Sequence, residues 1–419
     1  MVHQLPTGAR DLLPLDVAQK QWIKRRLQQR FERWGYHRII TPTLEKLETL
    51  TAGGAVNPSA VMQLHDADNE VLGLRPELTA SVARAAAARM DGVSLPQRLY
   101  YSANVFRRLG HDSSYHQHEF YQAGVEMVGS GGVVADAEML LLLTDCLHSL
   151  GLTDWHIIVG EAALTRSLLQ AFPPSHQDEI LQAFAAVDRV ALETMPLSPD
   201  LRSHALTLFD LRGRQPEDVI QQLGQLDLTE AQGRLVGRLK VLFSLLGDAW
   251  QHQQQTESGP SQATKPPIVL DLSLIQTFDY YSGIVFDVVL TDKSGHQRLG
   301  QGGRYDHLLG VYHPEGVSYP GVGFVLNVDE LHHSLLRTEQ LPVSTPASTW
   351  LVVPKTPEAH GAAFAYAQTI RESAALIRVE VDLSDRGDLE HARQYARERR
   401  IEQLAWIDAA GALTIERLS

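Results

Sequence analysis

Apolar residues at Ile23, Leu27, Phe31 and Trp34 recur at helical spacing in "VAQKQWIKRRLQQRFERWG", with charged and amide side chains between them. The stretch therefore predicts an amphipathic helix, capped by Asp16 and stopped by Gly35. "YHRIITPTLE" is strand-like, and "NEVLGLRPELTASVARAAAARM" reads as a strand, a turn at proline and an alanine-rich helix. "RLYYSANVFRR" and "HEFYQAGVEMVG" are strand-like runs around a polar loop, the pattern of a hairpin. From "ALTRSLLQAF" to "LKVLFSLLGDAW" the period turns helical, broken at "PPSHQ", "PLSPD" and "LRGRQPED". This predicts a helical insertion over about residues 163–250 and, in the Gln/Ser/Pro-rich "QHQQQTESGPSQATKPP" (about 251–267), an exposed mobile loop. Strands return in "IVLDLSL", "FDYYSGIVFDV" and "VGFVLNV", so the insertion interrupts one sheet within a core of residues 1–335. "LPVSTPAST" reads as a linker. Beyond it, residues 347–419 alternate strand-like and helix-like segments, from "TWLVVP" to "QLAWID", and predict a small C-terminal α/β domain with a largely parallel sheet.

Composition narrows the function classes. The longest apolar run, "EMLLLLTDCLHSLGL", falls short of the roughly 20 residues that cross a bilayer, and "MVHQLPTGARD" has no apolar signal core. A cytoplasmic protein without a membrane partner is expected. The single cysteine, Cys146, forbids an internal disulfide or a cysteine-based zinc site, and its apolar neighbours predict a buried thiol. A net charge of -13 argues against a nucleic-acid partner, because such binding draws on Lys and Arg to neutralise phosphates.

Several stretches carry polar side chains where strands are expected. "IQTFDYYSG" places an amide, an acid and the pair Tyr280 and Tyr281 beside a strand, without a base or a nucleophile. In "LRPELTA", Arg75, Glu77 and Thr79 alternate at a strand end, which aims Glu77 and Thr79 to one side; a surface turn is an equally open reading. The hairpin carries Arg107, Gln122 and Glu126, and the even spacing of the last two puts them on one face. His116 and His118 would project together from "HQHE", but no third ligand accompanies them, so no metal is expected. "GQGGRYD" lacks the Lys-Ser/Thr ending of a P-loop and does not match G-x-G-x-x-G; close approach of backbone to a ligand, or a tight turn, explains its glycines equally well. No cofactor is expected.

Taken in order, "LPTGARDLLP", "LRPELTA", "FRR…HEFYQAGVE", "FDYYSGIVFDV", "GQGGRYDHLLG" and "GVGFVLNVDEL" resemble the histidyl-tRNA synthetase catalytic core, and the C-terminal segment resembles that family's anticodon-binding domain. The resemblance implies an α+β class II aminoacyl-tRNA synthetase-like fold: an antiparallel sheet with flanking helices, dimeric through the N-terminal helix and the "IITPTLE" region. It also implies histidine-binding roles for Glu77, Thr79, Arg107, Gln122, Glu126, Tyr280 and Tyr281, all of the expected type.

The ATP side departs from the family. Gln276 stands where the synthetases carry an arginine that assists activation, and the loop "RRLGHDSSYHQH" has Leu109 and Gly110 where a Glu and a second Arg position ATP. The third motif ends in Asp329 and Glu330 instead of Glu-Arg. Phosphoryl chemistry depends on fixed cations, so adenylation is expected to be lost. The helix "SDRGDLEHARQYARERR" mixes acids among bases where the family is lysine-rich, and no tRNA partner is expected. A synthetase-like chain with a kept histidine pocket and a lost ATP site resembles the regulatory subunits of ATP phosphoribosyltransferase, the first enzyme of histidine biosynthesis. That resemblance implies no cofactor, no catalysis of its own and feedback inhibition by L-histidine. It further implies a hetero-oligomer, in the family an octamer, with a short-form catalytic subunit that needs it for activity. An active histidyl-tRNA synthetase and a stand-alone histidine sensor are the alternatives.

Overall fold

Pro14 decides where the first helix starts. With no N–H to satisfy and a fixed φ it suits the first turn, so α1 spans Pro14–Arg33, earlier than expected, and Leu13 takes the cap position. Asp16 is thus not the cap; its carboxylate accepts the Leu13 N–H at 3.1 Å from inside the first turn. Ile23, Leu27 and Phe31 form the buried stripe, and Gly35 leaves the helix with φ +80°. The computed structural model describes residues 5–89, 93–108, 117–256, 267–274, 280–292, 295–374, 376–384 and 389–418, in two units, Met1–Leu341 and Pro342–Ser419.

In the first unit, "YHRIITPTLE" is split by its proline into β1 (His37–Arg38) and β2 (Leu44–Lys46). There follow α2 (Leu47–Thr51), β3 (Met62–His65), β4 (Val71–Leu74) and α3 (Thr79–Ala87). The expected hairpin is β5 (Gln97–Phe106) with β6 (Glu119–Val128), succeeded by α4 (Val133–Ser149) and β7 (Trp155–Glu161). The helical insertion comprises α5 (Ala162–Leu169), α6 (Pro174–Ala185), α7 (Arg189–Thr194), α8 (Pro199–Asp210), the short strand β8 (Arg212–Gly213), α9 (Pro216–Leu223) and α10 (Glu230–Thr256). The helix thus runs six residues into the segment expected to be loop, and residues 257–266 of that segment lie outside the described residues. Then come β9 (Ile268–Asp271), β10 (Ile284–Asp292), β11 (Gly295–Arg304), α11 (Leu308–Tyr312), β12 (Gly321–Asn327) and α12 (Val328–Leu335).

Nine described strands form one sheet in the order β1-β5-β6-β12-β11-β10-β7-β9-β8. The six from β5 to β7 pair antiparallel, whereas β1 joins β5 and β9 joins β7 in parallel. Because β8 pairs with β9, the insertion contributes a strand to the sheet it interrupts. Its helices also share the main core: Leu164, Leu239 and Leu242 pack in one cluster with Phe31 of α1, Leu143 and Cys146 of α4, and Ile157 and Phe286 of the sheet. Cys146 is fully buried there.

The second unit consists of β13 (Trp350–Pro354), α13 (His360–Ser373), β14 (Val379–Val381), α14 (Leu389–Glu398), β15 (Gln403–Ile407) and β16 (Leu413–Arg417). Strands β14, β13 and β15 are parallel, as their alternation with helices requires. The antiparallel edge strand β16 has no such helix, and its side chains are largely exposed.

Candidate functional site

Glu126 sits in the middle of the sheet, and the row running through it holds two adjacent glycines on one side. Its cross-strand neighbours are Leu99 on β5 and Gly323 on β12, and the row continues to Gly303 on β11 and Val285 on β10. The glycines are a steric necessity. A Cβ on Gly323 would stand 1.9 Å from Glu126 Oε2, one on Gly303 would stand 2.7 Å from the Tyr281 ring, and one on Gly321 would stand 2.2 Å from the Tyr305 ring. "GQGGRYD" is therefore strand, not a turn, and its glycines admit the protein's own side chains and backbone, not a phosphate.

On this floor three hydroxyls converge on the Glu126 carboxylate. Thr79 Oγ1 donates to Oε1 at 2.8 Å, Tyr101 Oη donates to Oε1 at 3.2 Å, and Tyr305 Oη donates to Oε2. Glu126 is 1% exposed, and its partners among the described residues are neutral. Burial pushes its pKa up to about 8 against the hydrogen bonds of Tyr305 and Thr79, and the nearby Glu77 adds to the rise. Burial and the Glu126 charge also hold the Tyr305 hydroxyl well above its ordinary range, so it remains a donor.

Glu77 and Thr79 reach this site differently from the sequence expectation. The strand ends at Leu74, so no alternation carries on to Thr79, which opens α3. Glu77 instead folds over the start of the helix, its carboxylate accepting from the Thr79 N–H at 2.5 Å and the Ala80 N–H at 2.8 Å. These satisfy donors that a helix start leaves orphaned and turn Thr79 Oγ1 toward Glu126. Burial raises the pKa of Glu77, offset by those amides and by Arg107. Arg75 points elsewhere, binding the carbonyls of Thr41 and Asn104 as a buried staple.

Arg107 leaves the end of β5 over the Phe120 ring, donates from Nε to the Pro76 carbonyl at 2.9 Å, and lines a cavity of about 600 Å³ with Glu77, Asn57, Arg298 and Gln301. Gln122 shares the β6 face of Glu126, as its spacing requires; it is buried, and its Oε1 has no hydrogen-bond partner among the described residues. The rings of Tyr280 and Tyr281 lie 4.7 Å apart between centroids, tilted by 53°, and Tyr280 meets Tyr305 edge-on at 5.9 Å. Thus Glu77, Thr79, Glu126, Tyr280 and Tyr281 belong to one contact network, while Arg107 joins it through Pro76 and the shared cavity.

On the other side, the acids at the end of the third motif are tied into the fold. Asp329 accepts from Lys20 and from Arg10 (3.1 Å) through one oxygen and from the Tyr121 N–H (2.7 Å) through the other. Glu330 Oε2 accepts from Gln297 Nε2 at 2.5 Å, and Gln297 Oε1 in turn accepts from Ser334 Oγ at 3.0 Å. Gln276, Leu109, Gly110 and His116 lie outside the described residues. His118 Nδ1 contacts the Arg107 carbonyl at 2.9 Å, and no group of metal-ligating side chains occurs among the described residues.

Sequence reasoning missed Tyr101, Tyr305 and the glycine row. Tyr101 lies opposite Gly124, whose Cβ would meet the tyrosine hydroxyl at 2.7 Å. That large–small pairing is a signal, but it becomes readable only when the strand register is known.

The chain matches the histidyl-tRNA synthetase family over residues 8–331. It is 55% identical to the ATP phosphoribosyltransferase regulatory subunit of Trichormus variabilis and 54% identical to that of Nostoc sp. PCC 7120, with 100% of both chains covered in each case. Among solved structures it resembles an ATP phosphoribosyltransferase regulatory subunit/histidyl-tRNA synthetase from Bacillus halodurans (TM-score 0.76, 24% identity, 97% of each chain). A histidyl-tRNA synthetase from Nostoc sp. PCC 7120 is similar to the same degree (TM-score 0.76, 19% identity, 99% of this chain and 97% of that one). These two share the class II synthetase-like fold expected from the motif series.

Proposed function

Since the chain belongs to the ATP phosphoribosyltransferase regulatory subunits, a family built on the histidyl-tRNA synthetase core, we propose that its pocket binds free L-histidine and reports occupancy to a catalytic partner. As a member of that family it is a non-catalytic subunit serving histidine biosynthesis. The observation that carries the histidine reading is Glu126, a carboxylate 1% exposed whose hydrogen-bond partners are three neutral hydroxyls. Such a group is costly to ionise alone and well matched to a cationic ligand. A histidine ammonium or imidazole N–H meets Glu126 and the open acceptor on Gln122, its ring lies against Tyr280 and Tyr281, and its carboxylate faces Arg107. Glu77 and Thr79 hold the edge of the pocket.

Feedback then follows from linkage: histidine inhibits if it prefers one state of the complex, with a coupling of about 1–3 kcal/mol. The partner in this reading is a short-form catalytic subunit, in a hetero-oligomer whose core is a dimer of this chain. Exposed Leu13, Val17, Ile40 and Leu44, around α1 and β2, support a dimer surface there. No tRNA partner belongs to this reading. Calorimetry with L-histidine and, separately, with ATP tests it. Histidine binding without ATP binding is expected; no heat with histidine, or pyrophosphate exchange with both ligands, would overturn it.

A further inference from the structure

The helical insertion touches the tyrosine pair directly. Helix α5 begins at the end of β7, and two donors one turn apart on it, the Ala162 N–H and the Arg166 guanidinium, reach two carbonyls two residues apart beyond the pair. Ala162 donates to the Gly283 carbonyl at 2.9 Å, and Arg166 Nη2 donates to the Tyr281 carbonyl. Between them, Ser282 is held from the opposite side: its N–H donates to the Arg304 carbonyl at 2.7 Å, and its Oγ accepts the Asp306 N–H at 2.8 Å. The segment carrying Tyr281 is therefore clamped between the sheet and the first helix of the insertion.

Helix α5 is tied both to α10 and to the segment after β9. Gln232 of α10 donates to Ser167 Oγ at 3.1 Å, Thr165 Oγ1 donates to the Leu272 carbonyl at 2.8 Å, and Leu164 and Leu168 pack in the core with Leu239 and Leu242. Helix α10 is thus in contact with the helix whose donors hold the two carbonyls.

We propose that Arg166 is a positioning residue for the ligand pocket, fixing the Tyr280–Tyr281 segment from the helical insertion so that ligand binding and the docking of the inserted helices are one coupled equilibrium. The coupling is reciprocal: if docking sets the tyrosines, an occupied pocket holds the helices. The proposal rests on the histidine reading for its ligand, but the clamp itself exists without one.

Hydrogen exchange and calorimetry on the full chain separate the two. Arg166→Met removes the donor, Arg166→Lys retains one, and Arg202→Met is a control, since Arg202 binds the carbonyls of Met195 and Leu197 within the insertion. The loss of one charge-assisted bond predicts about tenfold weaker histidine binding and about tenfold faster exchange of the amides at 282–284 in Arg166→Met. Arg166→Lys should recover most of both, and Arg202→Met should leave affinity unchanged. Unaltered exchange in Arg166→Met, or faster exchange with unaltered affinity, would overturn the proposal. If the wild-type chain binds no histidine yet Arg166→Met still loosens 282–284, the clamp stands and the histidine reading falls. Wild-type protein supplies a measurement that no variant's folding can spoil. Histidine should slow exchange in α5 and α10, and binding without that protection would also overturn the coupling.

Discussion

Glu126 holds a proton at neutral pH unless something positive displaces it. Its pKa is pushed from the ordinary value of 4.5 to about 8, so between those values the native chain binds more protons than the unfolded one. This group's contribution to stability therefore declines as pH rises through that window and levels off above about 8. A ligand cation favours the carboxylate and expels the proton. Between pH 7 and 8 the imidazole of free histidine is already neutral, so the change in that interval belongs to the protein. Affinity should rise severalfold there, and calorimetry in buffers of different ionisation enthalpy should register a released proton. Glu126→Gln should lose both effects and weaken binding at least tenfold, because a buried ionic partner is worth about 1.5–3 kcal/mol; unchanged affinity would remove Glu126 from the pocket. The pairing of Gln122 and Glu126 was legible from even spacing alone. The convergence of Thr79, Tyr101 and Tyr305 on one carboxylate was not, since those residues come from a helix start, a strand and the residue just past another strand, whose register no local pattern states.

At the level of elements, β11 and β12 act as a floor because they carry little. Gly323→Ala would drive a methyl group into Glu126 and into the Val125 carbonyl, 2.4 Å from the ideal Cβ. A destabilisation of about 1–3 kcal/mol is expected from overpacking, read as a lower thermal midpoint together with loss of histidine binding. The junction of β7 and α5 contains another buried carboxylate. Glu161 is 4% exposed, its Oε1 has no hydrogen-bond partner among the described residues, and burial pushes its pKa up to about 7, although Arg238 of α10 and the Ala163 amide draw it back. Glu161→Gln should stabilise the chain by an amount that grows as pH rises from about 4.5 to 7 and is level above, and thermal unfolding across that range checks it. Periodicity found most of these elements. It failed where a side chain far away decides the outcome: β8 is a strand only because β9 lies beside it, and the α3 start depends on Glu77 folding back over its amides.

For the whole molecule, the order of six motifs was enough to read the fold through the resemblance it carries to the histidyl-tRNA synthetase core, whose model matches residues 8–331. A surface for the catalytic partner has no comparable signal, since exposed apolar residues such as Ile40 and Leu13 obey no period. The lost chemistry is a property of the whole site and not of one position. Restoring arginine at both Gln276 and Glu330 should give no histidine-dependent pyrophosphate exchange, because Leu109 and Gly110 still replace the ATP-positioning pair. Measurable exchange in that double variant would show that the loop matters less than the two cations.

The ties of Glu330 differ from those of its neighbour. Its carboxylate is joined to Gln297, which is joined to Ser334, so an arginine at 330 would set donor against donor until the amide flipped, after which Ser334 Oγ could accept from it while donating to the carbonyl of residue 330. Beside it, Asp329 fastens Arg10, Lys20 and the Tyr121 amide. The two acids are thus committed to different depths: Glu330 is met by an amide that can present either end, whereas Asp329 joins α1, the segment before it and β6 through three donors, so the charge at 329 is the one the fold itself depends on.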